Sequence, residues 1–276
     1  MVTTKSVIKK PLLNDIEKSS KSLLMQDIFY KILRLAKIDT PVILVGEIGS
    51  GTKRLAHVIH KNSDRALAPF HTFNCLGIRE EEYKDAFWGQ LQFDDNHLSL
   101  KYDLLEKAVG GILYLDQFSE LSPSLMLNIL DSYQKGCKQL FRHNKQAKPR
   151  LILSFNQESY HKILTHSIWE KLLGELNPVV LMLPPLRERK EDIPILIDHF
   201  IKEIKTNYPD YKDLNISSRA LIECYDYHWP GNILQLKNAI FHGAILSHGQ
   251  TIELEHLPFS MSWKSPYTIH KNNTSL

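Results

Sequence analysis

Residues Gly46, Glu47, Ile48, Gly49, Ser50, Gly51, Thr52 and Lys53 come within one position of a phosphate-binding loop. Such a loop reads Gly, four residues, Gly, Lys, then Ser or Thr: backbone amides cradle the phosphates, the lysine neutralises them and the hydroxyl holds Mg²⁺. Here Gly46 and Gly51 are in place, Thr52 stands where the lysine belongs, and Lys53 follows one residue late. On a helix of 3.6 residues per turn, one residue turns a side chain by ~100°. Lys53 is therefore expected to point away from the terminal phosphates unless the helix start shifts by one. A lost charge-assisted contact of this kind costs ~1.5–3 kcal/mol. The main-chain amides and the helix N-terminus would still form an anion site. The three glycines Gly46, Gly49 and Gly51 also suit a ligand-free turn from strand to helix, and the loop alone leaves both readings open.

Positioning such a loop needs a strand before it and a helix after it. Three short apolar runs rich in β-branched residues read as buried parallel strands: 41–46, 110–117 and 150–157, with a fourth at 178–185. Helical spacing between them puts Leu55, Val58 and Ile59 on one face of 52–61. It does the same for Leu125, Ile129, Leu130 and Tyr133 of 122–135. Alternating strands and helices predict a doubly wound α/β layer. From Ile193 the pattern changes: Ile193, Leu196, Ile197, Phe200, Ile201 and Ile204 step by three and four. Two further helices follow, one with a Ser217 cap, which predicts a small all-helical domain over 191–258. The expected order is a flexible segment 1–14, an α/β core 15–190, the helical domain and a loose tail 259–276.

Composition narrows the function classes. The 276 residues are 43% hydrophobic and 24% charged, ordinary for a soluble globular protein, and the net charge of +3 is too small to argue for nucleic acid by itself. No apolar run approaches ~20 residues, and the N-terminus lacks an apolar core and a cleavage site, so neither membrane spanning nor export is expected. Cys75, Cys137 and Cys224 are widely spaced and odd in number, which fits buried thiols in a reducing cytoplasm rather than a disulfide frame. No histidine or cysteine spacing suits a structural metal.

Several separate stretches resemble the AAA+ module of the bacterial enhancer-binding proteins, which activate sigma-54 RNA polymerase. "GEIGSGTKRLAHVIHKNSDRALAPFHTFNC" resembles that family's loop, helix and following strand, and "LLEKAVGGILYLDQFSELSPSLMLNIL" its second nucleotide motif. "LPPLRERKEDIPILIDHFI" and "YDYHWPGNILQLKNAI" resemble its domain junction and lid, and these two are the most specific matches. The resemblance runs from about residue 15 to 258. It implies a P-loop AAA+ core with a helical lid, ATP or ADP with Mg²⁺ as ligand, and ring-shaped oligomers in active members. Carried over position by position, it assigns Asp116 to Mg²⁺ and Asn156 to sensing phosphate, with a helix cap as the alternative role of Asn156.

The same resemblance exposes departures. The water-activating Glu is replaced by Gln117, which can orient a water but cannot take its proton; a positioned base is worth ~10²–10⁴ in rate. The two arginines that reach a neighbouring subunit's site are replaced by Trp169 and Glu175, and one such arginine is worth ~10³–10⁵. The lid arginine is replaced by Leu234. In the stretch that would carry the sigma-54 contact, Phe87 and Gly89 remain, but the loop motif gives way to a shorter segment with Asp94, Asp95 and His97, read as a solvated turn. The expectation is a pseudo-ATPase that regulates transcription through protein contacts, by self-association or by mixing with AAA+ relatives. Direct sigma-54 contact, a DNA-binding domain and a membrane partner are not expected. The rival readings are a working sigma-54 activator ATPase and an interaction platform unrelated to transcription.

Overall fold

The computed structural model describes residues 20–78, 90–94, 97–101, 103–165, 169–170, 174 and 176–258. The segments 1–14 and 259–276, and with them Phe87, Gly89, Asp95 and Glu175, lie outside the described residues. Contacts divide the chain into two units, Met1–Pro185 and Leu186–Leu276.

In the first unit the elements run α1 (Leu23–Ala36), β1 (Val42–Val45), α2 (Thr52–Lys61), β2 (Phe70–Asn74), β3 (Gln90–Asp94), β4 (His97–Lys101), α3 (Asp103–Lys107), β5 (Ile112–Asp116), α4 (Pro123–Leu140), β6 (Arg150–Phe155), α5 (Gln157–Leu164) and β7 (Val179–Met182). Five strands form a parallel sheet in the order β2-β5-β6-β1-β7. The central strands are apolar on both faces because helices cover both faces. Successive residues sort accordingly. Val42, Leu44, Ile112, Tyr114 and Ile152 pack with Met25, Ile28, Ile32 and Leu35 of α1 and with Leu55, Ala56 and Ile59 of α2. Ile43, Val45, Leu113, Leu115, Leu151, Leu153 and Phe155 pack on the other face with Leu125, Met126, Ile129, Leu130 and Tyr133 of α4. Every apolar position singled out for α4 is therefore core, and α4 runs on to Leu140 behind a Ser122 cap that accepts from the Leu125 amide.

Three strands were not legible from short apolar runs. Edge strand β2 is half-buried, and His71, Thr72 and Asn74 break up its apolar residues Phe70 and Phe73. The segment read as a solvated turn contains an antiparallel pair, β3 with β4, in which Asp94 stands opposite His97 and Phe93 opposite Leu98.

In the second unit α6 (Ile193–Asn207), α7 (Ser218–Asp226) and α8 (Asn232–Leu246) share one core. All six apolar positions expected on α6 are buried. Ser217 caps α7 by accepting from the Ala220 amide. A short parallel ladder, β8 (Asn215–Ile216) with β9 (Thr251–Ile252), adds a strand pair to the expected helices. The "WPGN" stretch is structural: the Trp229 indole is fully buried and donates to the Cys224 carbonyl at 2.7 Å. Buried Asn232 accepts from the Leu186 amide at 2.7 Å, joining α8 to the start of this unit.

Candidate functional site

The carboxyl ends of the adjacent strands β5, β6 and β1 bring Asp116, Asn156 and Gly46 to one edge of the sheet. Open α/β sheets bind ligands outside such strand ends. Gly46 leaves β1 with its amide still bonded to the Phe155 carbonyl at 3.0 Å. A Cβ there would lie 2.5 Å from the Ser50 hydroxyl oxygen and 3.1 Å from Leu183 Cβ, so a larger residue would have to displace both. Gly51 has φ 108° at the end of the loop, a conformation that favours glycine. Helix α2 then begins at Thr52, so its start has not shifted. Its first ladder bond runs from the Leu55 amide to the Gly51 carbonyl. The amides of Thr52, Lys53 and Arg54 lie ahead of that ladder, where a helix favours an anion. Glu47, Gly49 and Ser50 complete the turn, with the Ser50 amide donating to Glu47, and Ile48 is exposed at its tip.

Thr52 and Lys53 face different surroundings. Lys53 is exposed on the flank of α2. Burial, and next the charge of Lys53, lower the pKa of His57 one turn on, which places the ammonium on that flank. Thr52 instead faces the sheet. The Tyr114 hydroxyl lies 3.5 Å from Thr52 Oγ1 and donates to Asp116 Oδ1 at 2.8 Å. Ser154 on β6 donates to the same Oδ1 at 2.8 Å and accepts the Gln117 amide at 2.7 Å. Burial pushes the Tyr114 phenol well above its ordinary pKa, so it stays protonated and donates. These hydroxyls meet because Tyr114, Asp116 and Ser154 point to the α2 face of two neighbouring strands.

Gln117 follows with φ 54°, in the left-handed region that few non-glycine residues adopt, held by the bond to Ser154. The Asn156 side chain accepts from the Glu158 amide at 3.1 Å as the cap of α5, while its own amide donates to Ser119 Oγ. Its alternative role as a cap is therefore realised. Trp169 packs edge-on against Tyr160 at 5.3 Å on the core side of the sheet. In the second unit Leu234 lies exposed on α8. Sequence reasoning missed Tyr114 and Ser154; the only signal was a hydroxyl two residues before Asp116 and another two residues before Asn156.

Comparison with known proteins follows the same outline. Residues 18–182 match the Sigma-54 interaction domain and residues 187–274 the AAA+ ATPase lid domain. The transcriptional regulatory protein XylR of Pseudomonas putida is 33% identical over 220 residues, 78% of this chain and 39% of XylR. The regulatory protein AtoC of Escherichia coli K12 is 30% identical over 238 residues, 85% of this chain and 51% of AtoC. The chain thus spans about half or less of these relatives' length. The crystal structure of NtrX from Brucella abortus in complex with ADP superposes with TM-score 0.72 at 27% identity, covering 92% of this chain and 60% of that one. The same protein in complex with ATP gives 0.70 at 28%, covering 91% and 60%. With an α/β core and a lid unit that both match in order, the chain belongs to the sigma-54 interaction domain family.

Proposed function

We propose that this protein is a catalytically silent relative of the sigma-54 activators, a cytoplasmic pseudo-ATPase that takes ATP or ADP weakly and regulates transcription through protein contacts. The observation that carries this reading is the register of the loop. Thr52, not lysine, faces the sheet, and Lys53 stands outside on α2. The phosphates would rest on the main-chain amides of Thr52, Lys53 and Arg54 at the start of α2, a cradle that keeps its geometry without the lysine. NtrX, whose structures hold ADP and ATP, supports a nucleotide as the anion. Turnover lacks its working groups: Gln117 can align a water and take no proton from it, and Trp169, half-buried against the core, brings no positive charge. Leu234 carries no charge. What remains useful is a rigid nucleotide-sensitive surface for self-association or for entering a relative's ring.

Calorimetry with ADP and ATP, phosphate-release kinetics and sizing of mixtures with a working activator test the reading. The wild type is expected to bind weakly and release phosphate at background. Exchanging the two residues (T52K/K53T) is expected to tighten binding about 10- to 150-fold, the value of ~1.5–3 kcal/mol for a restored charged contact. Phosphate release at a working activator's rate overturns the pseudo-ATPase. Failure to associate with a working activator or to alter its rate overturns the partner role.

A further inference from the structure

Phosphate loops of this kind hold Mg²⁺ between the hydroxyl that follows the lysine and the acidic residue at the end of a neighbouring strand. The residues of this chain do not fit that ion. The hydroxyl position is Lys53, whose ammonium has no lone pair to give and repels a cation. The hydroxyl that remains, on Thr52, is one residue early, and the Tyr114 phenol stands between it and Asp116, 3.5 Å from one and 2.8 Å from the other. The same carboxylate oxygen also takes the Ser154 hydroxyl at 2.8 Å. Tyr114 is fully buried and Ser154 nearly so. Mg²⁺ demands six oxygens in a near-ideal octahedron at about 2.0–2.1 Å. Both bonds fall on Asp116 Oδ1, so a cation would be left with Oδ2 alone and with no hydroxyl at the loop's usual position.

We infer that the hydroxyls of Tyr114 and Ser154 have replaced the cation at Asp116, so that this site takes the phosphates of a nucleotide without a divalent metal. The inference deepens the nucleotide-binding reading and rests on it for the ligand. Asp116 then serves as the acceptor that locks Tyr114 against Thr52 and, through Ser154, holds the Gln117 amide. The anion then meets the protein without a bridging metal, and chelators are without effect on it.

Two measurements separate this claim from the reading beneath it. ADP titrated into the full chain in Mg²⁺ and in EDTA is expected to give the same affinity, and a fall on chelation overturns the inference. Water-proton relaxation with Mn²⁺, alone and with ADP, reads the metal directly. The wild type is expected to show no enhancement that Asp116→Asn abolishes, whereas Tyr114→Phe with Ser154→Ala, or either alone if the pair does not fold, gains one. Enhancement in the wild type that Asp116→Asn removes overturns the inference, as does its absence from every folded hydroxyl variant. If ADP gives no heat in either buffer, nucleotide binding fails and the relaxation result alone decides the metal claim.

Discussion

Thr52 and Lys53 show how much one position weighs when a helix begins beside it. Because α2 starts at Thr52, the residue at the loop's lysine position is drawn toward Tyr114 and its successor is thrown outward. The exchange predicted above reverses that geometry without altering composition, so its effect isolates the register. The cysteines illustrate the opposite case, in which burial is the main influence on the chemistry. Burial pushes the thiols of Cys75 and Cys224 up to about 12 and that of Cys137 to about 11, with the Asp116 carboxylate adding to the shift at Cys75. At neutral pH fewer than roughly one in a thousand of each is thiolate, the reactive form. Iodoacetamide followed by mass spectrometry is expected to label none of the three in native protein and all three in denaturant.

Among the elements, α5 also bears on the candidate site, since its cap is the residue assigned to sense phosphate. Asn156→Ala is expected to lower stability by about 1 kcal/mol, while Asn156→Asp, an equally good cap, keeps stability near wild type. Aspartate would also put a negative charge beside the phosphates, so weaker ADP binding in Asn156→Asp at unchanged denaturation midpoint marks the residue as facing the ligand. Other elements differed in how openly the sequence announced them. β1, β5 and β6 were plain because both faces are covered and the apolar run is continuous. Helix α1 went unread although Met25, Ile28, Ile32 and Leu35 carry a helical stripe, because polar residues ahead of it masked its start. β2 was implied by family resemblance and not by its own pattern, since an edge strand needs little apolar surface.

At the scale of the whole core unit, the edge of the sheet opposite the candidate site is drawn together by arginine. Arg65 donates to the Gly110 and Lys148 carbonyls at 2.8 Å each and forks onto Asp39, tying the segments that lead into β1, β5 and β6. Arg150 adds bonds to the Thr40 and Leu35 carbonyls at 2.9 Å. These strands present the loop, Asp116 and Asn156 at their far ends, so the staple fixes their stagger. Arg65→Ala is expected to lower stability by about 2 kcal/mol, in the range of bonds made by a charged donor. Arg65→Lys recovers only part of it, because an ammonium cannot reproduce the planar fork. Chemical denaturation of the two variants checks both.

Strands β1, β5 and β6, helices α2, α4 and α6, the glycine loop and the displaced lysine were set by local patterns: apolar runs, helical spacing and short motifs that need no distant partner. The junction and lid motifs carried the family membership in the same way. Which groups surround Asp116 was decided only in three dimensions. Thr52 lies 62 residues from Tyr114 and Ser154 lies 38 from Asp116, and they meet through the register of parallel strands. That register comes from packing both sheet faces at once, and a slip of one residue would turn Tyr114 and Ser154 to the other side.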